Sequence, residues 1–155
     1  MNKKQKTILV LTTIGALITT FFILNKNKKT ITLGKASIID RVINTGKTLI
    51  GTPYVWGGCT PGGFDCSGFI QYIFAQNGIV LPRTTTGLFS TLPDGGTISK
   101  GDLLALDGRN DGTTSHVGLY IGNGQMIHAG STSGVVITNI NPYWSNRIKG
   151  VYNPF

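Results

Sequence analysis

Gly62-Gly63-Phe64-Asp65-Cys66-Ser67-Gly68 opens directly into Phe69-Ile70-Gln71-Tyr72-Ile73-Phe74, and this junction sets the architecture of the chain. The glycines turn the backbone tightly. Apolar residues then fall at 69, 70, 73 and 74, which is helical spacing, and Asn77-Gly78 supplies a left-handed stop. Cys66 is therefore expected at the N-terminus of a helix. There the unpaired N–H groups and the macrodipole favour negative charge, so the thiolate gains over the thiol. A cysteine nucleophile needs that at neutral pH. A lone cysteine is more often a small buried hydrophobe, so the reading requires a partner base.

The 155 residues allow one domain with a modest core and a short appendage. Glycine is high, at 22, and glutamate is absent, so many tight turns are expected. The net charge of +8 first suggests nucleic-acid binding. Residues 1–35, however, carry seven lysines and no acid, whereas the rest sets seven basic side chains against six aspartates. The folded part is thus nearly neutral, with no basic stripe interleaved with aromatics, and no nucleic-acid partner is expected. Cys59 and Cys66 lie seven residues apart without zinc-ligand spacing, so no metal and no cofactor is expected. Cys59 reads as a loop residue without a chemical role.

Upstream, residues 1–7 form a basic flank and residues 8–24 are uncharged and bracketed by lysines. As a helix this run is about 26 Å long, at the short end of what spans a bilayer core. It reads as a retained single-pass membrane anchor, with the remainder on the extracytoplasmic side. A cleaved signal peptide is the competing reading, although Phe21-Phe22-Ile23-Leu24-Asn25-Lys26 lacks a small-x-small site. Residues 25–36 read as a polar linker, and residues 37–155 as the folded domain. Ser37 opens a helix with Asp40 as an approximate capping box and Ile38, Ile39, Val42, Ile43 and Leu49 as its buried stripe, ending near Gly51-Thr52-Pro53.

Downstream of the Cys66 helix, Thr84 or Thr85 caps a short turn of helix through Leu88. From residue 99 the pattern shifts to period two. Leu103–Leu106, His116–Ile121, Gln125–Ala129, Val135–Thr138 and Lys149–Tyr152 read as about five strands. Helices first and an antiparallel sheet afterwards imply an α+β domain.

Both histidines of the chain, His116 and His128, lie in one predicted hairpin. If its loop is Gly122–Gly124, Ile121 pairs with Gln125 and Gly118 lies opposite His128. His116 is then on the same face as His128, at a diagonal of about 7–8 Å. A one-residue slip sends the two rings to opposite faces. Cysteine, histidine and a polar group that orients the histidine are the minimum machinery for thiol acyl transfer: Cys66 attacks, His116 handles the proton and His128 holds His116. A surface histidine pair is the plainer alternative, and a metal site lacks a third ligand.

Taken together, Tyr54-Val55-Trp56-Gly57-Gly58, Gly63-Phe64-Asp65-Cys66-Ser67-Gly68, Leu81-Pro82-Arg83-Thr84, Lys100-Gly101-Asp102-Leu103, Ser115-His116-Val117-Gly118-Leu119-Tyr120-Ile121-Gly122 and Met126-Ile127-His128-Ala129 resemble the successive motifs of NlpC-type (NlpC/p60) cell-wall cysteine peptidases. The resemblance covers residues 38–152. It implies a papain-like α+β fold and hydrolysis of peptidoglycan stem peptides, most commonly between γ-D-glutamate and a diamino acid. By position it makes Cys66 the nucleophile, His116 the base and His128 the orienting residue. It also places Tyr54, Asp65, Ser67 and Arg83 at the substrate cleft, Tyr54 near the oxyanion position. The run Thr84-Thr85-Thr86-Gly87-Leu88 lacks the glutamine common after Leu-Pro-Arg-Thr, and Leu104-Ala105 replaces bulkier residues, which bears on bond specificity. An amidase or acyltransferase with the same Cys–His pair, and an idle membrane-tethered wall-binding protein, are the rival readings. Cellular remodelling and a lytic role in a phage or mobile element both suit a short anchored enzyme.

Overall fold

Nothing in residues 25–36 breaks a helix: the stretch has no proline and its one glycine is Gly34. In the structure, a computed structural model, a single helix α1 accordingly runs over Lys3–Lys47. The structure describes the backbone of residues 3–155 and the side chains of residues 20, 23–30, 32 and 34–155. The expected linker is therefore helical, and the helix expected to open at Ser37 is already under way there. Asp40 does not cap it but pairs with Lys100 Nζ across exposed surface. Most of the anchor proposed at residues 8–24 lies outside the described side chains. Among the described residues no helix is long and apolar enough to cross a membrane, so the structure gives the anchor no support.

The chain divides into two units, Met1–Ser37 and Ile38–Phe155. In the first, Thr30 and Thr32 donate their hydroxyls to the carbonyls of Lys26 and Lys28, at 3.0 and 2.9 Å, which keeps helix-poor threonines compatible with the turn. The second unit carries the sheet and the cleft. There the last turns of α1 bury Val42 and Ile43. A side chain at Gly46 would meet Phe69 Cζ and Ile127 Cδ1 at 3.3 Å, so its absence lets α1 sit closely on the core. Gly51, at φ +90°, ends this segment where the sequence expects it.

A two-stranded ribbon, β1 (Cys59–Thr60) and β2 (Gly63–Phe64), leads into α2 (Cys66–Ala75). Ten residues make a marginal helix in water, so its stability comes from packing. Phe69, Ile70, Ile73 and Phe74 are fully buried, each contributing about 1.5–3 kcal/mol relative to exposure. Helix α3 (Thr85–Thr91) follows, capped by Thr84, whose hydroxyl accepts from the Gly87 N–H at 3.1 Å.

The five predicted strands form one antiparallel sheet. They are β3 (Leu103–Leu106), β4 (His116–Gly122), β5 (Gln125–Gly130), β6 (Gly134–Asn139) and β7 (Ile148–Tyr152), in spatial order β6-β5-β4-β3-β7. β3 is buried on both faces. Leu103 joins the main core with Phe69 and Ile127, while Leu104 and Leu106 join Met126 in a smaller cluster that Trp144 covers. Trp144 comes from α4 (Pro142–Ser145), a short turn of helix between β6 and β7 that the sequence reading did not anticipate.

Candidate active site

Asp65 makes the start of α2. Its side chain caps the helix, accepting from the Gly68 N–H at 2.7 Å. It also accepts from the Gly57 N–H at 3.1 Å, from Ser67 Oγ at 3.3 Å, and from Arg83 Nη1 and Nη2 at 2.9 and 2.7 Å. Arg83 in turn donates from Nη1 to Ser67 Oγ at 3.1 Å and from Nη2 to the Gly58 carbonyl at 3.3 Å. Three residues expected at the cleft thus lock one another and the helix terminus in place. Burial pulls the Asp65 carboxyl up, but Arg83 and the Gly68 N–H outweigh it and hold the group below its ordinary range. Gly68 must be glycine: a Cβ there would stand 2.1 Å from the Gly58 carbonyl oxygen.

Cys66 follows as the first residue of α2, buried and not in a disulfide. The expected resting thiolate is corrected here. Burial pushes the thiol up, the Asp65 carboxylate adds to this, and the N–H groups of Val117, Ser67 and Cys66 pull it down by less. The helix terminus is already occupied by an anionic cap.

The histidines meet as the hairpin register requires, by a different turn. Leu119 pairs with Ile127 and Tyr120 with Met126, a register that sets Gly118 opposite His128. The connection itself is the two-residue turn Asn123-Gly124, with φ of 54° and 70°, and the odd residue is absorbed by a bulge between Tyr120 and Gly122, where Gly122 takes φ +94°. His116 and His128 therefore share a face. His116 Nε2 lies 2.8 Å from His128 Nδ1, and His128 Nε2 lies 3.0 Å from Thr138 Oγ1. Burial drives both imidazoles well below their ordinary pKa, and the neighbouring His128 lowers His116 further. Both rings are neutral at pH 7.

Two adjoining cavities share Tyr54, Trp56 and Ser115. One, of about 360 Å³, holds Cys66 with Asp65, Ser67 and Arg83; the other, of about 380 Å³, holds His116, His128, Thr138 and Trp144. Thr138 and Trp144 are the site residues that the sequence reading missed. Thr138 was within reach: the β5–β6 register pairs His128 with Val136, which puts Thr138 diagonally on the same face. Trp144 was not, because its position depends on the turn made by α4. Burial, then Cys66 and Asp65, push the Tyr54 phenol up, so it remains a donor. Cys59 lies exposed in β1. Among the described residues no group of three His, Cys, Asp or Glu side chains is placed to hold a metal ion.

The family model described as NlpC/P60 family matches residues 51–153. Over 113 residues the chain is 42% identical to the "Probable peptidoglycan endopeptidase LytE" of Bacillus subtilis (strain 168), covering 72% of this chain and 33% of that protein. It is 41% identical over 93 residues to the "Gamma-D-glutamyl-L-lysine dipeptidyl-peptidase" of Bacillus cereus, covering 58% and 28%. With the "Murein DD-endopeptidase MepS/Murein LD-carboxypeptidase" of Escherichia coli (strain K12) it shares 42% identity over 104 residues, 63% and 53% of the two chains. The chain thus spans about half or less of the length of these relatives. Among solved structures it is similar to that of an NlpC/P60 family protein from Bacillus cereus, with a TM-score of 0.67 at 36% identity over 74% of this chain and 39% of that one.

Proposed function

Because the chain belongs to the NlpC/P60 family, we propose that it is a cysteine peptidase that hydrolyses the stem peptides of peptidoglycan, at the bond between γ-D-glutamate and the diamino acid. The observation that carries the chemistry is the relay from His116 through His128 to Thr138, in a cavity that shares Tyr54, Trp56 and Ser115 with the one that holds Cys66. The name of the Bacillus cereus dipeptidyl-peptidase supports the bond, and that of the murein endopeptidase shows that relatives cut elsewhere.

The relay has a direction that suits a base. With His128 donating from Nε2 to Thr138 and His116 donating from Nε2 to His128 Nδ1, Nδ1 of His116 is left without a proton. That nitrogen takes the thiol proton as Cys66 Sγ bonds to the scissile carbonyl carbon. Resting thiol and neutral imidazole, rather than a preformed ion pair, are what burial of both groups favours. The negative charge moves to the carbonyl oxygen, against the Cys66 N–H and the Tyr54 hydroxyl. The imidazolium then returns its proton to the leaving amine, the C–N bond breaks and a thioester remains. Water, deprotonated by His116, attacks the thioester and releases the acid and the thiol.

Residues 8–24 hold the enzyme to the extracytoplasmic face of a membrane in this reading. Retention of the full chain in carbonate-washed membranes supports that role, and release into the wash removes it. For the chemistry, the full chain and Cys66→Ala are incubated with purified peptidoglycan and the products are analysed by mass. New amino groups on the diamino acid that depend on Cys66 support the proposal. Release at the lactyl amide makes the enzyme an amidase, and absence of any Cys66-dependent product makes the chain a wall-binding protein.

A further inference from the structure

Resting on the peptidase reading, we infer that Trp144 is a positioning residue for the histidine pair: its indole fixes the plane of His116 and keeps water from the hydrogen bond between the two imidazoles.

The geometry carries this. The indole lies nearly parallel to His116, with centroids 5.9 Å apart and planes 26° apart, and edge-on to His128, at 5.4 Å and 71°. The imidazoles themselves meet at 86° and 5.0 Å. One indole thus touches both partners of the 2.8 Å Nε2···Nδ1 contact, on the side where the 380 Å³ cavity opens. Imidazole rings swing readily about their last torsion, because sp³–sp² wells are broad. A flat wall on one face narrows that swing, and offset aromatic packing adds attraction to the steric limit. Water admitted there would compete for the ring nitrogens.

Trp144 is itself held from several directions. Asn141 caps α4, its side chain accepting from the Trp144 N–H at 3.3 Å. The indole packs against Leu104, Leu106 and Met126, which lie on the face of the sheet that carries both histidines. Beside it, Tyr143 carries the Arg147 guanidinium 4.2 Å from its ring centroid, and Arg147 Nη1 donates to the Asp107 carbonyl at 3.2 Å. A turn of four residues with this many ties is stiffer than its length suggests. It delivers the indole to the relay as a rigid plate.

The test compares wild-type chain, Trp144→Phe and Trp144→Leu, all full length. Steady-state kinetics on a soluble stem peptide across pH is paired with proton NMR of the imidazole N–H shared by His116 and His128. Leucine restores bulk without a plane, so Trp144→Leu is expected to lower kcat at least tenfold with KM changed less than threefold. Its acid limb should move towards the ordinary histidine range, and its shared N–H should exchange rapidly with water. Trp144→Phe keeps a plane and should retain at least a third of kcat and the protected proton. A rise in KM alone, or a protected proton in Trp144→Leu, overturns the inference; so does equal impairment of both variants at native thermal stability. If Trp144→Leu does not fold, Trp144→Phe decides, and a lost proton there overturns it. A wild-type chain that cuts no stem peptide refutes the peptidase reading instead, while the proton measurement still judges the role of Trp144.

Discussion

Replacing Arg83 with methionine tests what the cluster around Asp65 is for. Methionine keeps most of the stem volume and removes the guanidinium, so Asp65 loses two of the five donors, and the one ion-pair partner, that it has among the described residues. The Asp65 side chain is 13% exposed and that of Arg83 33%. Breaking a fully buried pair costs about 3–5 kcal/mol, and the part-exposed arginine argues for a discount to about 2–3 kcal/mol. For a domain of this size that is roughly 6–12 °C in Tm. The sign with pH follows from Asp65, whose folded pKa lies below 3.8. It contributes stability above pH 3.8 that disappears as pH falls through the folded value. Without Arg83 the folded pKa rises, so acid unfolding of the variant should begin at higher pH. The assay is thermal unfolding by circular dichroism from pH 3 to 7, for Arg83→Met, Asp65→Asn and the double variant. Asparagine still caps α2, so the double variant should recover at least about 1 kcal/mol of the single loss. A loss below about 1 kcal/mol, or strict additivity, would refute the idea that the cluster is primarily a brace.

Two further outcomes concern the relay. His116→Ala should cost far more of kcat than His128→Ala, because a proton acceptor has no substitute while orientation is partly replaced by packing; equal losses measured on one substrate would reverse or merge the roles. Because both imidazoles are lowered by burial, the acid limb of kcat/KM should fall clearly below 6.5, and a limb at or above that value counts against a buried neutral base. The same shift makes stability full above pH 6.5 and lets it decline as pH drops below that, since the unfolded chain then binds protons that the folded one refuses.

Much of this was legible locally. The helix at Cys66, the stops at Gly51 and Gly78 and the five strands follow from periodicity and glycine placement, which are properties of neighbouring residues. The histidine pairing was legible only in part: the shared face was expected from a three-residue loop, whereas the chain reaches it with a two-residue turn and a bulge that the residues do not announce. What the residues conceal is whatever depends on distant chain. Asp65 reads as a flanking acid until Arg83 arrives from 18 positions away. Cys66 reads as an activated thiolate until burial is known. Trp144 reads as one more aromatic until α4 turns it towards β4 and β5. The helical continuity of residues 25–36 is a different case: lysine-rich polarity marks the stretch as a linker but does not say that it is helical, although lysine is a good helix former and nothing there interrupts the turn.

The bulge at Gly122 makes the β4–β5 turn a place where the arithmetic of insertion and deletion reaches the chemistry. Loop tips ordinarily absorb changes of length freely. Here the freedom is conditional: an odd change taken up neither by the turn nor by the gain or loss of a bulge rotates one strand by half a period and turns a single imidazole out of the cleft, with the core strands still paired. Length variation here is therefore tied to the bulge: a variant one residue shorter keeps both imidazoles in the cleft by losing the bulge and pairing across a plain two-residue turn, and one that keeps the bulge must change its turn as well.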